Sequence, residues 1–177
     1  FSNYGYKKNT IKGEVFNKLF KIKSNDNLEN INFKLIDTGT NINLKFYDNN
    51  NSFFKGLAKI KILKSNLKFN FEFDNEKLKI YNSYFRSKDI SLNNVSTINY
   101  KPFFDINSII NVDDISPKLF KNFEINKIFS YREIIKKINS KNIVNFESKK
   151  LNLNLIDNSN SKIDLAYGRL SFSKNFQ

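Results

Sequence analysis

The sequence predicts a mainly β protein, a curved antiparallel β-meander that forms an apolar groove, with one or two short helices around residues 116–140. Two observations predict this class. Segments of strand length in which apolar and polar residues alternate recur along the chain, and short runs rich in Asn, Asp and Ser separate them. The clearest segment is Leu67–Asp74 (LKFNFEFD), which places four large apolar side chains on one face of an extended chain and polar side chains on the other.

The predicted strands follow one another through short connections. Ile11–Lys23 is rich in apolar residues and lysine, and Asp48–Ser52 is a polar run that predicts a turn. Such lengths and spacings are typical of an antiparallel meander. After Ile11–Lys23, the predicted strands are Leu28–Ile36, Thr40–Phe46, Leu57–Lys64, Leu67–Asp74, Lys77–Phe85 and Ile90–Tyr100.

The alternation is lost after residue 112. Ser116 followed by Pro117 predicts an N-cap with proline at the first helical position. Ser130 and Glu133 match a capping box ahead of isoleucines at helical spacing. We therefore predict a sheet for residues 1–112, a short helical interruption for residues 113–141, and a β-hairpin that continues the sheet for residues 142–177.

The C-terminal part repeats an earlier pattern. Leu151–Leu155 alternates, Asp157–Asn160 predicts a turn, and Ile163–Phe172 predicts the returning strand. Ile31–Asp37 (INFKLID) and Leu151–Asp157 (LNLNLID) share their order of apolar and polar residues. This similarity indicates either a repeated hairpin unit or a chance match within a biased composition.

The composition argues against most catalytic designs. The chain has no Cys and no His, so thiolate metal sites and the usual general base at neutral pH are missing. Asp48–Ser52 and Asp157–Ser161 carry oxygen ligands at alternate positions, but they lack the Gly and the bidentate Glu of a calcium-binding loop. We expect no enzymatic activity, no metal and no cofactor.

The net charge of +13 raises the possibility of a nucleic-acid partner. Arg, the residue favoured for phosphate and base contacts, occurs only at Arg86, Arg132 and Arg169. Lys, Asn, Ile, Phe and Tyr all have A/T-rich codons, so a biased genome alone explains the charge. We expect solvated strand faces and no nucleic acid, and keep a basic nucleic-acid-binding domain as a remote alternative.

The chain begins with Phe1, and we expect it to be a segment of a longer protein. No apolar run approaches the ~20 residues that span a bilayer, so this segment is not expected to be transmembrane. The predicted apolar face has two interpretations. It is either the core of a closed β-sandwich or the lining of an open groove, where strands of eight residues, about 26 Å long, would accommodate an acyl chain.

The passage Lys68–Ile115 resembles the AsmA-like family of Gram-negative envelope proteins. It shares with that family an alternating strand, a hairpin, a further strand, and a proline–aromatic step (Pro102-Phe103-Phe104) into a strand that ends in aspartate. The Lys, Asn, Ile and Phe bias is similar to that of alphaproteobacteria with A/T-rich genomes. This resemblance is one of spacing and includes no catalytic signature.

The resemblance implies a repeating β-groove in the periplasm, an inner-membrane anchor outside this segment, and phospholipid acyl chains as the ligand. The function it suggests is non-catalytic lipid handling for transport between membranes or for outer-membrane biogenesis. The alternative is a structural or adhesive β-sandwich module of a surface protein. The positions that would line the groove are Phe33, Leu35, Ile42, Leu44, Ile60, Ile62, Leu67, Phe69, Phe71, Phe73, Leu78, Ile80, Leu151, Leu153 and Leu155.

Overall fold

A computed structural model of the chain shows a single open sheet of thirteen strands. The order of the strands in the sheet is the same as their order in the sequence. The residues that the structure describes are 2–3, 9–15, 17–36, 38–50, 53–116, 118, 138–146, 159–166 and 168–175. The strands are β1 (Ser2–Asn3), β2 (Asn9–Val15), β3 (Lys18–Ser24), β4 (Asn30–Leu35), β5 (Thr40–Asn50), β6 (Phe53–Ile62), β7 (Ser65–Asp74), β8 (Lys77–Arg86), β9 (Ile90–Asn99), β10 (Asp105–Ile115), β11 (Asn139–Phe146), β12 (Ser159–Ala166) and β13 (Arg169–Asn175).

The predicted class, a mainly β protein built on an antiparallel meander, is confirmed. One pair of strands departs from the meander, because β10 and β11 run parallel, with Asp105 opposite Asn139. Parallel neighbours need a long crossover connection, which here comprises residues 116–138. The predicted helices fall in this connection, almost wholly outside the described residues. At its start the Ser116 hydroxyl accepts a hydrogen bond from the Lys118 N–H at 3.3 Å, a contact that an N-cap makes.

Two predicted strands contain a turn that the alternation did not reveal. Ile11–Lys23 is divided between β2 and β3, and Asn17 in their turn has a φ of 57°. The last described hairpin turns at Gly168, with a φ of 74°, so the prediction of one strand over Ile163–Phe172 is wrong. Asn and Gly tolerate this left-handed conformation. Ser159 and Asn160, which were predicted to lie in the turn, belong to β12.

The register of the sheet separates the side chains into two faces, because residues directly opposite each other in neighbouring strands point the same way. Leu67 lies opposite Ile60, and Ile60 lies opposite Ile42. Lys68 lies opposite Lys59, and their side chains point to the other side. The face of Leu67 is called the apolar face below, and the face of Lys68 is called the polar face.

Irregularities bend the sheet. The register shifts between Phe46 and Asp48, between Lys68 and Asn70, between Ile80 and Phe85, and between Val112 and Asp114. Such bulges bend a strand and increase its twist. In the described part of the chain, extensive contacts between strands run only between sheet neighbours, and no second sheet covers either face. No helix among these residues is both long and apolar enough to cross a bilayer.

Candidate functional site

The twelve groove-lining positions from Phe33 to Ile80 that the structure describes all point to the apolar face. Cross-strand pairs join them directly: Phe33 lies opposite Ile42, and Phe73 lies opposite Leu78. The sheet therefore brings these side chains together across β4–β8. Leu151, Leu153 and Leu155 lie outside the described residues.

The exposure of these side chains agrees with a face on which neighbouring side chains pack against one another and no second layer covers them. Most of the twelve are half-buried, and Ile62 is 49% exposed. Phe71 is the exception at 7%. In an open sheet, neighbouring side chains on the same face are the main source of such burial.

Aromatic rings form a continuous cluster on this face. The Phe71 ring packs edge-on against Phe46 at a centroid distance of 5.6 Å, and Phe54 and Phe73 extend the contacts at 6.2 and 6.0 Å. Edge-to-face and tilted geometries at these distances stabilise aromatic pairs. The cluster comprises Phe46, Phe54, Phe69, Phe71, Phe73, Tyr100 and Phe104.

Glycine makes room for two rings of the apolar face. Gly56 lies opposite Phe71, and a Cβ at this position would lie 2.8 Å from the ring and would overlap the carbonyl oxygen of Lys45. Gly13 lies opposite Phe20 in the same way, and a Cβ there would lie 2.7 Å from the ring. The rings therefore lie flat across the neighbouring strand, which explains why Phe71 is buried in an open sheet.

The apolar face extends well beyond the predicted positions. The register places Ile110 beside Val144, and Ile163 beside Phe172. The same alternating parity identifies these residues in the sequence once the crossover to β11 is known. Further residues of this face are Ile11, Phe20, Ile22, Ile31, Phe46, Phe54, Phe85, Leu92, Ile98, Ile106, Val112, Phe146, Leu165 and Leu170.

Polar groups interrupt the apolar face between β8 and β12. The Ser96 and Ser108 hydroxyls lie 2.7 Å apart, and the Ser96 hydroxyl donates to the Asn94 side-chain oxygen at 2.7 Å. The Asn142 amide donates to the Ser140 hydroxyl and to the Ile163 carbonyl, both at 2.9 Å. These groups satisfy one another, and a buried cluster of Val112, Ile115 and Val144 packs beside them.

The polar face contains one ion pair with a clear effect on ionisation. Lys55 Nζ lies 2.8 Å from Glu72, and the Tyr81 hydroxyl donates to the same carboxylate at 3.3 Å. The hydrogen bond from Lys55 lowers the pKa of Glu72, while burial and the Glu72 charge raise the pKa of Tyr81. Tyr81 and Tyr84 lie on the polar face beside lysines, although the aromatic residues of the clearest strands lie on the apolar face.

Two shallow hollows of similar size also lie on the polar face. One of about 340 Å³ lies over β5–β8 and includes Lys59, Lys61 and Lys68. The other, of about 370 Å³, lies over β9–β12 and includes Lys141, Lys162 and Asp164. No group of His, Cys, Asp or Glu side chains suited to a metal occurs in the described ranges.

Comparisons with the models of known protein families, with characterised proteins and with solved structures find no match to this chain.

Proposed function

We propose that the chain is a non-catalytic lipid-handling segment of an AsmA-like envelope protein, whose apolar face holds phospholipid acyl chains in a groove. The observation that carries the proposal is the continuity of this face across β2–β8 without a covering sheet in the described residues. Exposed apolar patches beyond a few hundred Å² are typical of interaction sites.

The dimensions and chemistry of the face suit an acyl chain. The strands β6, β7 and β8 have ten residues each, which gives a length of about 33 Å, close to the ~30 Å hydrocarbon thickness of a bilayer. Each methylene of the lipid that is buried against the face contributes about 0.8 kcal/mol to binding. Aliphatic and aromatic side chains provide this contact through dispersion and need no hydrogen bonds. A lipid held in this way would be selected weakly by its headgroup.

The cellular role follows from the same proposal. The parent protein would lie in the periplasm, anchored to the inner membrane outside this segment, and would pass phospholipid between membranes or support outer-membrane biogenesis. Its partners are phospholipid acyl chains and the inner membrane, and no cofactor or nucleic acid takes part.

A structural β-sandwich module is the second candidate, and one observation favours it. Val112, Ile115 and Val144 are 3–8% exposed, so the side chains in this part of the apolar face are buried and leave little surface for a ligand. If the whole face were closed against further polypeptide, the same residues would form a core with no ligand.

A matched pair of variants tests the proposal. Ile62 is 49% exposed on the apolar face and Val95 is 52% exposed on the polar face, so Glu at either position should be tolerated by the fold. Phe71→Glu is less useful, because Phe71 is buried against Phe46. Its loss would unfold the sheet whether the apolar face is an open groove or a closed core. Native mass spectrometry of gently purified protein measures bound phospholipid.

We expect phospholipid on the wild type and on Val95→Glu, and clearly less on Ile62→Glu, because a carboxylate opposes burial against hydrocarbon. Circular dichroism should show the same β content for all three proteins. Absence of phospholipid from the wild type, or equal occupancy in both variants, would contradict the groove.

A further inference from the structure

A row of cationic side chains crosses seven strands on the polar face. Lys12 lies opposite Lys21, and Lys21 lies opposite Lys34. The row continues through directly opposed residues to Lys61 on β6 and Arg86 on β8. Asn41 on β5 lies between Lys34 and Lys61, and Asn66 on β7 lies between Lys61 and Arg86. With a spacing of about 4.8 Å between strands, the row is about 29 Å long.

The cations of this row repel each other, and none of them forms an ion pair with a carboxylate of the described residues. Like charges directly opposite each other destabilise a sheet. The charge of Lys23, then partial burial, and then the charges of Lys12 and Lys34 lower the pKa of Lys21. Among the described residues, ion pairs join Lys55 to Glu72 and Lys162 to Asp164, and neither pair includes a cation of the row. Such a local conflict is typical of a site that an external group completes.

The hollow of about 340 Å³ lies at the middle of this row and combines three kinds of group. Lys59, Lys61 and Lys68 provide positive charge, and the side chains of Asn43 and Asn66 provide amide donors and acceptors. The exposed ring of Tyr84 provides a flat apolar surface. Carboxylates, hydroxyl groups and the C–H face of a sugar ring are the groups that this combination complements.

The spacing of the charges selects among linear polyanions. Lys34, Lys61 and Arg86 stand on every second strand, about 9.5 Å apart, with an amide between each pair. Successive phosphates of one strand of a DNA duplex are about 3.4 Å apart along the helix axis, closer than these cations. A disaccharide repeat of an extended polysaccharide has about the length of two strand spacings. A charge on alternate sugars would therefore match the part of the row from Lys34 to Arg86.

We propose that the part of the row from Lys34 to Arg86 binds a linear acidic polysaccharide with one carboxylate per disaccharide, which crosses the strands and passes through the hollow at Lys59, Lys61 and Lys68. Lys12 and Lys21, on consecutive strands, add positive charge at one end of this site. The carboxylates pair with the cations, and the intervening hydroxyl and amide groups of the sugars meet Asn41 and Asn66. This site is on the face opposite the lipid groove and does not depend on it.

Binding of a labelled oligosaccharide of alternating glucuronate and N-acetylglucosamine, followed by fluorescence anisotropy at low salt, tests the site. Lys61→Gln removes the middle one of the three cations Lys34, Lys61 and Arg86. We expect the Kd to rise about tenfold, as for loss of a charged hydrogen bond. Lys141→Gln removes an equally exposed lysine from the second hollow of the same face. We expect this control to change the Kd less than about twofold, through long-range attraction alone.

Three outcomes would overturn the site. The first is no binding of the oligosaccharide by the wild type. The second is an equal loss of affinity in Lys61→Gln and Lys141→Gln, which would mean diffuse attraction by the net charge. In the third outcome, oligothymidylate would bind more tightly than the oligosaccharide and lose affinity in Lys61→Gln, which would assign the row to nucleic acid. Phospholipid occupancy of Lys61→Gln should remain that of the wild type, so failure of this site and failure of the groove are distinguishable.

Discussion

The polar faces of β2–β8 and β9–β12 differ in how their side chains interact. In β9–β12 an asparagine ladder crosses the strands: Asn111 donates to Asn93 at 2.8 Å, Asn145 donates to Asn111 at 2.7 Å, and Asn160 donates to Asn145 at 2.8 Å. Each amide satisfies its neighbour. In β2–β8 directly opposed lysines repel each other instead.

The apolar faces differ in the same sense. Over β5–β8 the face is formed by aromatic and large aliphatic side chains, whereas over β9–β12 it includes hydroxyls and amides that bond to one another, such as Ser96 and Ser108. Serine and asparagine side chains of the C-terminal region therefore bond to one another, although the buried Oδ1 of Asp164 has no hydrogen-bond partner among the described residues. In the N-terminal region the apolar side chains and the row of cations remain available to ligands. Both proposed ligands are therefore placed in this region.

The largest expected effect is at the glycine beneath the aromatic cluster. Gly56→Ala would place a Cβ against the Lys45 carbonyl and 2.8 Å from the Phe71 ring, and the backbone cannot yield easily. We expect a loss of about 3 kcal/mol in the free energy of unfolding, measured by urea denaturation. Gly13→Ala is the matched control, because its Cβ would meet only the far end of the Phe20 ring. A similar loss in both variants would mean that ring contact, not the backbone, determines the need for glycine.

The sequence predicted most of the face that this glycine supports. Leu67–Asp74 alternates so regularly that its strand and its apolar side follow from period two alone, and β7 covers Ser65–Asp74. The position of the β8 bulge was not predictable, because a pattern of alternation does not reveal that Asn82 adopts a φ of 49°.

Long-range pairing was also beyond the sequence. Nothing local distinguishes a strand that turns back on its neighbour from one that begins a crossover, so the parallel pair of β10 and β11 was missed. The lysine row was missed for a related reason. Lys12, Lys34 and Lys61 are distant in the chain and become neighbours only through the register of the sheet. In the sequence they resemble ordinary solvated positions.

The asparagine ladder gives an intermediate effect. Asn111→Ala removes both a donor to Asn93 and an acceptor for Asn145, and we expect a loss of about 1–2 kcal/mol in the free energy of unfolding. Asn43→Ala is the control on the polar face of β5, where the Asn43 side chain forms no hydrogen bond with the described residues; it should change stability by less than about 0.5 kcal/mol. Equal losses of stability in Asn111→Ala and Asn43→Ala would contradict the distinction between the two regions.

The smallest effect is expected from relief of repulsion in the lysine row. Because neighbouring lysine charges lower the pKa of Lys21 from its ordinary value of 10.5, the charged form is disfavoured in the folded state. Lys21→Gln should therefore raise the Tm at neutral pH and low salt, and the difference should shrink as salt screens the exposed charges. By linkage, wild-type stability from this group should rise as the pH increases from the lowered pKa toward 10.5, since the unfolded chain then binds more protons.

Lys141→Gln provides the opposite case in the C-terminal region. Lys141 lies directly opposite Asp164, so its charge is attracted across the strands instead of repelled. We expect its removal to leave the Tm unchanged or slightly lower, and never higher, under the same conditions. A higher Tm in both variants would show that the net charge of +13 destabilises the whole protein. Repulsion within the row would then not differ from repulsion elsewhere.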